Sequence, residues 1–137
     1  MNHSMNHVLA LVGRVLMAYL FIPAGFSKIA GFSGQVGYAA SMGMPLPEAG
    51  VAVGLLIELV GGIMLLIGFQ TRWAAAVLAF FTLVAGFMFH AYWSSPADQV
   101  MIQQIMFNKN LAIVGGLLAF TAFGAGAWSL DAKRSRI

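Results

Sequence analysis

The chain has 137 residues, 61% of them hydrophobic and only 8% charged, with a mean hydropathy of +0.88. A soluble domain carries about a quarter of its residues as charges to cover its surface, so this composition argues against a soluble enzyme and against a freestanding nucleic-acid binder. The net charge of +3 and the isoelectric point near 9.7 come from seven Lys and Arg against four acids, and in so apolar a chain the cations read as topology signals. No cysteine is present, which excludes a disulfide, a thiolate metal site and a thiol relay; any redox chemistry must borrow its electron carrier.

The apolar residues fall into four blocks, each long enough to cross about 30 Å of hydrocarbon as a helix. The first is expected at about 8–26. The residues before it carry no Lys or Arg, unlike the basic start of a signal peptide, and Arg14 lies inside the block, so it reads as a retained helix. The outer connection from Ser27 to Ala49 is too long for a turn. Phe32, Val36, Ala39, Ala40 and Gly43 recur in it at helical spacing before Met44-Pro45-Leu46-Pro47, which fits a short interfacial helix or a solvated loop. The second and third spans are expected at about 50–69 and 73–93, joined by the tight turn Gln70-Thr71-Arg72. The fourth is expected at about 111–128, after a connection whose residues from Val100 to Phe107 could pack back on the bundle.

An even number of spans puts both termini on one side. That side holds Arg14, Arg72, Lys133, Arg134 and Arg136, whereas the other holds Lys28 and Lys109, so both termini are expected in the cytoplasm. Trp73, Tyr92, Trp93 and Trp128 sit near block ends, where amphipathic rings favour the headgroup layer. The expected fold is therefore an all-α integral-membrane four-helix bundle: a single domain over 1–131 and a basic cytoplasmic tail at 132–137.

Steps of three and four trace one stripe of small residues on each helix, and such stripes let helices approach closely in lipid. They are Arg14, Ala18, Phe21, Gly25 and Lys28; Gly54, Glu58, Gly61, Leu65 and Gly68; Ala75, Ala79, Thr82, Gly86 and His90; and Asn108, Ala112, Gly115, Ala119, Ala122 and Gly126. All four are expected to face inward. Glu58 then lies roughly 12 to 17 Å from either boundary and needs a partner to stay ionised, and Arg14, roughly 9 Å inside the cytoplasmic boundary, is the expected partner. An Arg14–Glu58 ion pair would be either a clamp between the first two helices or part of a functional polar core. At the outer boundary Lys28, His90, Asn108, Lys109 and Asn110 are expected to converge. They could hold an anion or polarise a carbonyl oxygen such as that of a quinone headgroup, or else serve as interfacial anchors. His3, His7 and His90 form no metal pattern, so no metal site is expected.

The stretches Gly13-Arg14, Ala24-Gly25 with Lys28, Glu58 with Gly61-Gly62, Gly68-Phe69-Gln70-Thr71-Arg72, His90, Lys109-Asn110-Leu111, Gly115-Gly116 and Gly124 to Asp131 together resemble the DoxX family of small four-helix bacterial membrane proteins, from about Val8 to Asp131. The resemblance implies a multi-pass inner-membrane protein. It also implies what some members are associated with: thiosulfate oxidation coupled to quinone, redox complexes alongside superoxide dismutase and a sulfurtransferase, or oxidative-stress responses. On this reading the chain is a subunit of a quinone-linked membrane oxidoreductase system acting on small sulfur oxyanions or in oxidative stress. Glu58 and His90 are the candidate catalytic residues, Lys28, Lys109 and Asn110 would bind substrate, and quinone would be the cofactor. The alternative is a noncatalytic scaffold in the bilayer that docks partner proteins, soluble enzymes or other membrane subunits; redox-enzyme partner subunits or a homo-oligomer are the candidate partners, and a transporter would need to oligomerise to enclose a path.

Overall fold

Hydrocarbon offers the backbone no water, so an apolar stretch satisfies its own N–H and C=O groups by coiling into an α-helix. The computed structural model describes residues 2–135 and contains α1 (His3–Ala30), α2 (Phe32–Ser41), α3 (Pro47–Ile67), α4 (Thr71–Phe89), a 3₁₀ turn at Tyr92–Ser94, α5 (Val100–Phe123) and α6 (Leu130–Arg134). No strand occurs among the described residues. Four of the helices, α1, α3, α4 and α5, are long and apolar enough to cross a membrane, and the fold is the expected all-α bundle. Arg136, counted above with the cytoplasmic cations, lies outside the described residues.

The connections follow from a few backbone positions. Gly43 (φ 80°) and Leu46 (φ 51°) turn the chain back from α2, and Pro47 then starts α3 at a position where its missing N–H costs nothing. α2 is thus a helix, not a solvated loop. Gly68 (φ 69°) ends α3, with the Phe69 N–H bonding back to the Met64 carbonyl at 2.9 Å, and Gln70 starts α4 at once. The last span departs from expectation: it runs over 100–123, not 111–128. Gln103, Gln104, Asn108 and Lys109 lower the hydropathy of its first half without interrupting the helical hydrogen bonds, and Gly124 and Gly126 (φ 80° and 79°) stop it before Trp128.

α1 packs along α3 and α4 along α5, and the α3–α4 hairpin joins the two pairs. Gly25 permits the first contact, since a Cβ there would stand 2.5 Å from Leu59 Cγ. Phe21, Leu65, Ala75, Leu78, Ala79 and Leu117 form the core. The inward stripes expected for α1, α3 and α4 are buried or half-buried throughout. The stripe on α5 is not. Asn108, Ala112, Gly115, Ala119 and Ala122 are exposed, while Phe107 and Leu117 are buried and Asn110, Val114 and Thr121 half-buried. The small residues of α4 already supply the groove, so α5 presents its bulky face to it: Phe107 and Asn110 sit over Gly86. Large side chains such as Phe80 and Phe123, 71% and 85% exposed, form the lipid-facing surface.

Candidate functional site

Two polar constellations lie at opposite ends of the bundle. At the end that carries the α3–α4 hairpin, Arg14 is fully buried and donates to the carbonyls of Leu65 (3.4 Å), Leu66 (2.9 Å) and Trp128. A cation there adds a donor to carbonyls at the last turn of α3, where Leu65 otherwise accepts only from the Gly68 N–H among the described residues, and opposes the negative end of its dipole. Asp131 completes this end. Its carboxylate accepts from the backbone N–H groups of Gln70 (2.7 Å) and Thr71 (2.9 Å), capping α4 from a distant part of the chain. Burial pushes the Asp131 carboxyl up, but the hydrogen bonds from Thr71 and Gln70 and the Arg134 charge outweigh it, and the group is held below its ordinary value.

The expected Arg14–Glu58 ion pair therefore does not form. Leu65, which Arg14 reaches, lies roughly 10 Å along α3 from Glu58 at 1.5 Å per residue, and the guanidinium is spent on carbonyls at that level. Glu58 instead pairs with Lys28 Nζ, 2.7 Å from Oε2. The contact is close, yet Oε2 makes no hydrogen bond of good direction among the described residues, so the carboxylate keeps acceptor capacity.

At the end away from the hairpin, which the expected topology makes the outer one, Lys28 and Glu58 line a cavity of about 230 Å³ together with His90. α1 supplies the lysine, α3 the glutamate, and the end of α4 the histidine. α2 roofs the cavity with Gln35, Tyr38 and Ala39, and the Tyr38 ring stacks on Phe89 with centroids 5.6 Å apart. His90 Nδ1 bonds to Gln103 Oε1 of α5 at 2.8 Å. An amide oxygen only accepts, so with this partner Nδ1 carries the proton of the neutral ring and Nε2 keeps its lone pair. A compensated cation–anion pair, an imidazole nitrogen and a tyrosine thus surround one space that can take a polar headgroup.

The outer cavity shares Met44, Gly50, Gly54, Phe81, Ala85 and Phe89 with an apolar groove of about 380 Å³ on the bilayer-facing side of α3 and α4, where Val53 and Val84 are exposed. A polar pocket beside an apolar groove offers an amphiphile both chemistries it needs.

Of the five residues expected at the outer boundary, Lys28 and His90 meet. Lys109 and Asn108 do not join them, because both are exposed on the face of α5 turned away from α4. Asn110 takes a different place. Its Nδ2 donates to the Thr82 carbonyl at 3.2 Å, and it lines a separate chamber of about 150 Å³ that also touches Glu58. Gln35, Tyr38, Thr82 and Gln103 were not singled out from the sequence. Gln103 was within reach: 103, 107, 110, 114, 117 and 121 form a helical stripe of larger residues, and that stripe faces inward. No group of three or more His, Cys, Asp or Glu residues suited to a metal occurs among the described residues.

The family model described as DoxX matches residues 9–91 of the chain. Inner membrane protein YqjF of Escherichia coli (strain K12) is 40% identical over 131 residues, covering 93% of each chain. Inner membrane protein YphA of the same organism is 37% identical over 126 residues, or 92% of this chain and 90% of that protein. Surfeit locus protein 4 homolog of Schizosaccharomyces pombe is 29% identical over 97% of this chain but only 40% of its own length. No solved structure matches.

Proposed function

We propose a function from the premise that this chain belongs to the DoxX family and is a multi-pass inner-membrane protein. It binds a quinone from the bilayer, with the headgroup among Lys28, Glu58 and His90 and the isoprenoid tail in the groove between α3 and α4, as a subunit of a quinone-linked redox system. The observation that carries this reading is that the polar cavity and the apolar groove lie side by side and share six lining residues. Reduction of a quinone to a quinol takes two electrons and two protons. The protons fall to this chain: Glu58 carries one, and His90 exchanges another at Nε2, its ring held by Gln103. Lys28 polarises a headgroup carbonyl when it swings off Glu58. The electrons come from a donor outside the chain, a small reduced sulfur species or a partner redox subunit; with no cysteine in the sequence, a thiol of this chain is not that donor.

Titration of decylubiquinone into the full chain in lipid nanodiscs tests this directly. Saturable binding is expected, weakened about tenfold by His90→Ala or Glu58→Gln, the loss of one hydrogen bond to a charged or polar group. Lys109→Ala should leave it unchanged. Absence of saturable binding by the parent chain overturns the reading.

The exposed small residues of α5 support the alternative of a scaffold. Ala112, Gly115, Ala119 and Ala122 form a lipid-facing strip on which another span can lie closely, either a partner subunit or a second copy. For the topology we propose both termini in the cytoplasm, a reading supported by Arg72, Lys133 and Arg134 at the hairpin end against Lys28 and Lys109 at the other.

A further inference from the structure

We propose that the chamber on the inner side of Glu58 is a hydration site, where water bonds to Glu58 Oε2, Thr82 Oγ1 and Asn110 Oδ1 and gives the carboxylate a second proton partner away from the outer cavity. The inference deepens the proposed function and rests on it only for the use to which that proton is put.

The chamber, about 150 Å³, is lined by Glu58, Thr82 and Asn110 and walled by Leu20, Phe21 and Ile113. Glu58 and Thr82 are 6% and 5% exposed; Thr82 Oγ1 is buried without a hydrogen-bond partner among the described residues, and Glu58 Oε2, buried beside Lys28 Nζ at 2.7 Å, has further lone pairs to offer. A buried polar atom left without a partner carries its whole desolvation penalty, and native proteins relieve that penalty with bound water where the space is polar and roomy. Both conditions are met. The side chains offer a carboxylate acceptor, a hydroxyl that donates and accepts, and the Asn110 oxygen, since Asn110 Nδ2 is already engaged with the Thr82 carbonyl.

The missing bond at Thr82 is unusual for its position. A threonine inside a helix ordinarily returns its hydroxyl to the carbonyl one turn earlier. Thr121 does so, donating to the Leu117 carbonyl at 3.0 Å. Thr82 makes no such bond, and the residue lines the chamber. Phe81 and Ala85 line both this chamber and the outer cavity, and Glu58 is the polar group common to the two. One carboxylate thereby faces Lys28 and His90 on one side and Thr82 and Asn110 on the other, the geometry a carboxyl needs to take a proton from one compartment and release it to the next.

Hydroxyl-radical footprinting of the full chain in nanodiscs, without quinone, tests this, because radicals generated from bound water label the side chains beside it. Phe21, 3% exposed, walls the chamber and not the outer cavity, whereas Phe80 faces lipid. Phe21 is expected to label about tenfold faster than Phe80 despite its burial, and Thr82→Val, which keeps the side-chain shape, is expected to remove most of that excess. Ala24→Leu, which fills the chamber, is expected to do the same by a different route. Labelling of Phe21 no faster than that of Phe80, or indifferent to both substitutions, overturns the hydration site. Decylubiquinone binding is measured on the same samples: labelled Phe21 without quinone binding defeats the proposed function and leaves this site standing.

Discussion

Arg14 and Lys28 lie on the same face of α1, yet they do opposite kinds of work, and the difference is a matter of what each can reach. Arg14 meets the carbonyl end of α3 and is consumed there, so its loss should be felt as stability. Arg14→Met leaves the Leu66 and Trp128 carbonyls without the guanidinium, removes one of the two donors to Leu65, and should cost on the order of 3 kcal/mol in unfolding measured in mild detergent, with the decylubiquinone affinity of the folded protein unchanged. Asp131 makes a complementary case. Because its folded carboxyl is held below the ordinary value, its contribution is complete at neutral pH and is lost as pH falls through that depressed folded value. Asp131→Ala should therefore destabilise by about 1 to 2 kcal/mol at neutral pH, the worth of a helix cap, and the gap from the parent chain should close on acidification. That Glu58 needed a partner was legible in the sequence. Which cation served was not, because the relative height of α1 and α3 depends on the close approach of Gly25 to Leu59, which spacing alone does not give.

Among the elements, α1, α3 and α4 could be oriented from their small residues, and α5 could not. The rule that small residues face inward holds for helices that accept a neighbour's bulk, and it reverses for the helix that provides it. Two glycines separate these roles experimentally. Gly25→Ala drives a methyl group into Leu59 and should destabilise by about 1 to 3 kcal/mol, whereas Gly115→Ala meets nothing within 4 Å and should be neutral or slightly stabilising, to about 0.5 kcal/mol, by thermal unfolding of the isolated chain. A large loss from Gly115→Ala would mean that the outer face of α5 is already occupied by another span. The displaced start of α5 has a related cause: hydropathy registers side chains, and the two Gln, Asn108 and Lys109 obscured a helix whose backbone bonds run through them.

At the scale of the whole molecule, charge distinguishes the two ends. The hairpin end gathers Arg72, Lys133 and Arg134, and reporter fusions at residue 135 and in the loop at 94–99 should locate the first in the cytoplasm and the second outside it, with the opposite result reversing the topology. The roof over the outer cavity bears on how a ligand arrives. α2 lies across the aqueous approach, pinned by the Tyr38–Phe89 stack, while the groove between α3 and α4 stands open to the acyl chains. On the proposed function entry is then sideways, with the bilayer as the reservoir from which the site is filled. Lengthening a quinone's tail should then tighten the apparent Kd referred to bulk water by about 0.8 kcal/mol per methylene, through partitioning alone. The same affinity expressed as mole fraction in lipid should barely move.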